Sequence, residues 1–397
     1  MPYRVISLIG LFVMLGIAWM LSENRRSIRP RIVGWGLGLQ FVLALLILKT
    51  VPGRALFEWA RDLFEGLIAC SDAGASFLFG SLTTDASLQA TVAFRALPII
   101  IFVSALSGLL YHLRVIQGIV KAMAWVMHKT MDISGAEALA AALFVFLGIE
   151  SVTAIDRYIK AMTRSELFVV MTAFMATIAT SVMMIYSTFG ASPGHLLGAS
   201  LMSAPAAIAI AKTMLPETDS PATAGTVEFE PPVESVNALD AAATGARNGA
   251  KLAINIAAIL IAFVGLVALL NSLLGLVHLQ LQTLFGYAFA PFAALMGVPF
   301  KDVIQVGQLL GTKTVLNEFL AYQSMQGMME ELSPRSVTIA TYALCGFANF
   351  GSVAILIGGI GGLVPSRRGE VATLAIKALI AGTLAAFTTA CVAGLLV

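Results

Sequence analysis

Eight runs of nearly charge-free residues punctuate the chain, at about 4–22, 32–51, 92–112, 163–188, 194–214, 252–276, 336–363 and 372–396. Each reaches the ~20 residues that a helix needs to cross the hydrocarbon core of a bilayer. In lipid every backbone polar group must find its partner within the protein, which leaves helices or a closed barrel. Runs this long and continuous choose helices, so the sequence predicts an all-α polytopic membrane protein with eight transmembrane helices. A composition that is 58% hydrophobic and 12% charged, with mean hydropathy +0.90, excludes an ordinary soluble enzyme. The first run, Val5 to Leu21, lacks a small-residue cleavage site and reads as a retained span.

Two further apolar segments are too interrupted to cross. One, at about 132–160, contains Gly135, Gly148 and ionisable residues; the other, at about 299–326, contains Gly307, Gly311, Lys313 and Glu318. Both are expected to be re-entrant helical hairpins, because irregular backbone survives at membrane depth only where protein or a water-filled cavity satisfies it. Arg114 to Lys129 places Val115, Ile119, Met123 and Val126 at helical spacing and reads as an interfacial helix. The stretch 54–90 reads as an interfacial helix followed by a loop, and 216–248 as a solvated loop.

Orientation follows from Lys and Arg, which favour the cytoplasmic side. With hairpins returning to the face they enter, Arg25, Arg26, Arg29 and Arg31 fall on the same side as Arg367 and Arg368. Both termini then face outward. The hairpins enter from opposite faces, the arrangement of an inverted repeat around a midplane site.

Within this apolar frame Glu150 and Glu318 stand out, since a carboxylate at membrane depth is costly and usually faces a polar cavity. Net charge is +2 with no basic block, which argues against a nucleic-acid partner. Cys70, Cys345 and Cys391 are unclustered, and His112, His128, His195 and His278 are far apart, so neither a metal site nor a cofactor is expected. Gly307 to Thr314 lacks the adjacent Gly-Lys of a phosphate-binding loop. No nucleophile constellation is visible, and the chain reads as a transporter, not an enzyme.

Six motifs carry a family resemblance: Met-Asp-Ile-Ser-Gly-Ala-Glu at 131–137, Met-Thr-Arg-Ser-Glu-Leu-Phe at 162–168, Leu-Met-Ser-Ala-Pro-Ala-Ala-Ile-Ala-Ile-Ala-Lys at 201–212, Gly-Thr-Lys-Thr-Val-Leu-Asn-Glu-Phe-Leu-Ala-Tyr at 311–322, Cys-Gly-Phe-Ala-Asn-Phe-Gly-Ser at 345–352 and Ser-Arg-Arg-Gly-Glu at 366–370. In this order they make the chain resemble the concentrative nucleoside transporters. The resemblance implies a homotrimer in which each protomer has a scaffold domain and a moving transport domain, with a partly unwound span beside each hairpin. It divides the chain into 1–130, mainly scaffold; 131–215, mainly transport domain; 216–250, a cytoplasmic loop; 251–298, scaffold span and outer interfacial segment; and 299–397, second hairpin, broken span and last span.

Carried over residue by residue, the resemblance gives Asn317 and Glu318 a ribose-binding role on the second hairpin. Asn349 and Ser352 join them from the broken span, Phe347 supplies an aromatic, and Val182 packs against the base. The first hairpin departs from the family's Gly-Gln-Thr-Glu. Its tip reads Gly148-Ile149-Glu150-Ser151, which lacks the amide and hydroxyl that face the base. Sodium-coupled relatives carry an asparagine four residues before that glycine, and here the position is Phe144. Thr177 and the Ile178 carbonyl remain as oxygen ligands, a thin cage for a hard cation. The expectation is proton coupling, with Glu150 the leading protonation site and Glu318 the second. Sodium coupling, a related ribose-bearing or nucleobase solute, and a purely tip-capping Glu150 stay open as alternatives.

Overall fold

In a computed structural model of the protein, which describes residues 2–83, 92–148, 151–225, 235–276 and 278–397, all regular structure among the described residues is helical. The chain begins with α1 (Pro2–Met20), α2 (Pro30–Lys49) and α3 (Val51–Phe79), then α4 (Leu97–His112) and α5 (Val115–Met131). Hairpin 1 follows as α6 (Gly135–Leu147) and α7 (Val152–Ile159), then α8 (Arg164–Ala176), α9 (Thr180–Thr188) and α10 (Pro193–Met214). The second half comprises α11 (Ala238–Gly275), α12 (Leu281–Leu295), hairpin 2 as α13 (Val303–Val315) and α14 (Glu318–Met328), then α15 (Pro334–Leu344), α16 (Phe350–Leu363) and α17 (Arg368–Leu396).

Hairpin arms of 8 to 13 residues are at most ~20 Å long at 1.5 Å per residue, too short for a ~30 Å core. Both segments are thus re-entrant, as their interrupted composition predicts. The arms start where caps satisfy the orphan N–H groups. Ser134 and Glu137 form a reciprocal capping box at α6, and Thr163 with Glu166 repeats it at α8. The tip of hairpin 1 turns at Gly148, whose φ of 42° lies in the left-handed region that glycine tolerates. There the Ser151 hydroxyl donates to the Gly148 carbonyl at 2.7 Å.

Three sequence expectations need correction. The runs at 163–188 and 336–363 are each two half-helices, broken at 177–179 and 345–349, as the family resemblance implies but hydropathy does not. In the second break Gly346 adopts φ 154°, and a Cβ there would lie 2.9 Å from the Met175 carbonyl oxygen. The stretch from 54 onward is not a short helix followed by a loop: it belongs to a single 29-residue helix, α3, on which Arg54, Glu58, Arg61, Asp62 and Glu65 are exposed. The loop expected through 248 ends by Asn237, whose side-chain oxygen accepts the Asp240 N–H and starts the 38-residue α11.

On α5 the apolar residues used to recognise it, Val115 and Ile119, face outward, while Ile116, Val120 and Ala124 pack inward. The core sits around α8, α9, α10 and α17; α1 packs on α17 and α2 on α10. The turn after α1 is tied to this core by Glu23, which accepts from Arg164 at 2.6 Å and from Lys377 at 2.8 Å. Burial opposes ionisation of Glu23, yet the two hydrogen-bonded cations hold its carboxyl below the ordinary value.

The α4–α11 pair forms a separate contact, and glycine explains how close it is. A Cβ at Gly245 would meet the Ser104 carbonyl oxygen at 2.4 Å, and one at Gly249 the Ile100 carbonyl oxygen at 2.9 Å. This is small-xxx-small packing, in which backbones touch because no side chain intervenes. Gly245→Leu is expected to separate the pair and lower the melting temperature of the detergent-solubilised protein, whereas Gly265→Leu, at a site with open space around it, leaves it unchanged. Equal melting of the two variants would contradict the close crossing.

Candidate functional site

Two half-helix N-termini converge on one carboxylate. Asn317 caps α14 by accepting the Leu320 N–H at 2.9 Å, and this places Glu318 in the first turn, where the helix dipole favours an anion. Asn349 caps α16 in the same way, its Oδ1 accepting the Ser352 N–H at 2.7 Å. Its Nδ2 is then free to donate to Glu318 Oε2 at 2.8 Å. The other carboxylate oxygen accepts the Tyr186 hydroxyl of α9 at 2.7 Å. Glu318 is 5% exposed and Asn349 and Ser352 3% each, so these bonds are made away from bulk solvent, where they are strong.

Hairpin 2 also closes the end of α15. Lys313 of α13 donates to the Ala343 carbonyl at 2.8 Å, and the Tyr322 hydroxyl of α14 donates to the Thr341 carbonyl at 2.7 Å. Both carbonyls belong to the last turn, which has no intrahelical partners of its own. The two breaks meet directly, since the Phe347 N–H donates to the Thr177 carbonyl at 3.3 Å.

An aromatic row fills the space beside the first break. Phe144 of hairpin 1 lies edge-on to Phe174 with ring centroids 5.7 Å apart, and Phe174 in turn lies 5.6 Å from Phe347. Phe144 is fully buried, Ile178 and Val182 are buried nearby in sequence, and the Thr177 hydroxyl is turned back to the Ala173 carbonyl at 2.8 Å. A cavity of about 210 Å³ separates the tip of hairpin 1 from α4 and α11; Ser151, Ser181, Ser104, Thr244 and Asn248 are among its lining residues, while Glu318 and Asn349 are not.

The structure therefore brings Glu318, Asn349 and Ser352 together, with Asn317 positioning the carboxylate. Gly148 and Ser151 form the hairpin-1 turn, and Ile149 and Glu150 lie outside the described residues. Sequence reasoning missed Tyr186. It lies four residues beyond Val182 and hence one turn along the same helix face, which is the signal that could have found it.

Family profiles described as Na+ dependent nucleoside transporter cover residues 9–82 and 195–394, and one described as nucleoside recognition covers 93–193. Solute carrier family 28 member 3 of Rattus norvegicus is 42% identical over 99% of this chain and 59% of its own length. Uncharacterized transporter YutK of Bacillus subtilis (strain 168) is 39% identical over 98% of both chains. The chain belongs to the concentrative nucleoside transporter family.

Solved structures agree in shape. CNTnw in an inward-facing substrate-bound state superimposes with a TM-score of 0.93 at 36% identity, covering 99% of this chain and 98% of that one. A doubly substituted CNTnw in an outward-facing state gives 0.94 at the same identity, covering 100% and 99%. As a concentrative nucleoside transporter family member, the chain has relatives that are transporters, in accord with the absence of enzyme motifs in its sequence. It spans about three-fifths of the first mammalian relative, and nearly all of the bacterial one.

Proposed function

We propose that the protein is a concentrative transporter that carries nucleosides inward across a bacterial inner membrane, as a homotrimer with both termini periplasmic, driven by protons. The observation that carries the substrate reading is the state of Glu318. An ionised carboxylate offers about four acceptor sites, and two are filled by Tyr186 and Asn349. The acceptor capacity left over can serve a vicinal diol, which is what a ribose presents. Asn317 sets the carboxylate at the α14 N-terminus, Asn349 and Ser352 bound the sugar side, and Phe347 and Val182 supply apolar surface for the base. The family resemblance assigns Gly148, Ile149, Glu150 and Ser151 to the hairpin-1 side of the site.

Phe144 supports proton coupling. Sodium requires several oxygen ligands, and this position holds a ring packed on Phe174. Glu150 is the first candidate for the coupling proton and Glu318 the second. Sodium is the second reading, favoured by the Na+ dependent description of the matching profiles and by the unwound carbonyls at Thr177 and Ile178.

Uptake of labelled uridine and adenosine into proteoliposomes, with an imposed pH gradient and then an imposed sodium gradient, tests both. Accumulation above the external concentration under an inward proton gradient, unchanged by sodium, is the expected result. Strict sodium dependence with indifference to pH would sink proton coupling, and no uphill uptake of any nucleoside would sink the substrate reading.

A further inference from the structure

We propose that Tyr186 is a positioning residue for the sugar: its phenol, bonded to one oxygen of Glu318, fixes which faces of that carboxylate stay open to ribose hydroxyls. The proposal rests on the reading of Glu318 as the ribose acceptor. Its basis is a closed set of contacts. The Tyr186 ring is fully buried and stacks on Tyr322 with centroids 4.4 Å apart and planes inclined by 21°. Tyr322 lies four residues after Glu318 on α14, one turn along the same face, and its own hydroxyl is held by the Thr341 carbonyl at 2.7 Å.

The stack thus clamps the Tyr186 ring against the same helix that carries Glu318. The hydroxyl reaches Oε1 at 2.7 Å with its direction set by the ring. Asn349 takes Oε2 from the opposite element. With a donor on each oxygen, the carboxylate cannot rotate without breaking a charge-assisted bond. Without the phenol one of its two side-chain donors is gone, and an incoming sugar has to order the oxygen left free.

Tyr186→Phe keeps the stack and removes only the hydroxyl, so the fold is expected to survive, which a melting curve of the purified variant checks. Loss of one hydrogen bond to a charged group corresponds to roughly 10-fold or more. The variant is expected to show a KM for uridine raised about 10-fold with little change in maximal rate. The preference of wild type for uridine over 3′-deoxyuridine should shrink, because a mobile carboxylate gains less from the missing hydroxyl. Unchanged KM and unchanged preference would overturn the proposal. So would an equal loss of maximal rate for both nucleosides, the signature of a merely structural role. Wild-type protein that takes up the two nucleosides equally would remove the ribose reading itself, and the role of Tyr186 with it.

Discussion

Uridine uptake is expected to fall by ~100-fold or more in Glu318→Gln, with the protein still folded. Glutamine matches glutamate in shape, so packing between α14 and α16 persists. Its amide, however, retains one acceptor oxygen where the carboxylate has two, and both neighbours, the Tyr186 hydroxyl and Asn349 Nδ2, approach as donors. One of them must face an NH₂ group. Hydrogen bonds to charged groups contribute about 1.5–3 kcal/mol each; losing that assistance for two ribose hydroxyls amounts to about 3 kcal/mol or more, hence the hundredfold. Initial rates in proteoliposomes, alongside melting of the purified variant, provide the check. Asn349→Ala should have a comparable effect on uptake, with about 1 kcal/mol of added instability from the lost α16 cap. Normal transport by Glu318→Gln would remove the carboxylate from substrate recognition.

The largest expected effect on stability belongs to Lys212. Its ammonium lies 2.8 Å from Glu137 and 3.1 Å from Glu217, with side-chain exposures of 3%, 1% and 5% respectively. It also donates to the Ser165 hydroxyl at 3.0 Å, while Glu217 accepts from Thr163 at 2.8 Å. One cation thereby gathers the starts of α6 and α8 and the segment after α10. Lys212→Met leaves two buried carboxylates without their counter-charge, and breaking a buried pair in this way costs about 3–5 kcal/mol. A clear drop in melting temperature is expected, partly recovered in Lys212→Met combined with Glu137→Gln because fewer unpaired charges remain. Wild-type melting of the single variant would show that the cluster is solvated.

Much of the architecture was legible from hydropathy, because a bilayer permits few solutions and long apolar runs have one meaning. The hairpins were visible for the same reason, as apolar segments interrupted by Gly and charge. The breaks were not. Thr177-Ile178-Ala179 and Cys345-Gly346-Phe347-Ala348-Asn349 are as apolar as the helices they interrupt, so a window averaged over them sees one span. Gly245 and Gly249 fell in a region read mostly as loop, where glycine signals flexibility and not contact. At the site, Asn317, Glu318 and Asn349 were found through motifs. Tyr186 was passed over because a tyrosine in an apolar helix is ordinary until its hydroxyl partner is known.

The bond from Phe347 to the Thr177 carbonyl makes the two unwound segments a single joint. Each supplies a backbone group that the other would otherwise leave unsatisfied at membrane depth. An inserted or deleted residue in either segment shifts that register and orphans both groups at once. The lengths of the two interruptions are therefore not free to drift separately, and a change in one calls for a compensating change in the other.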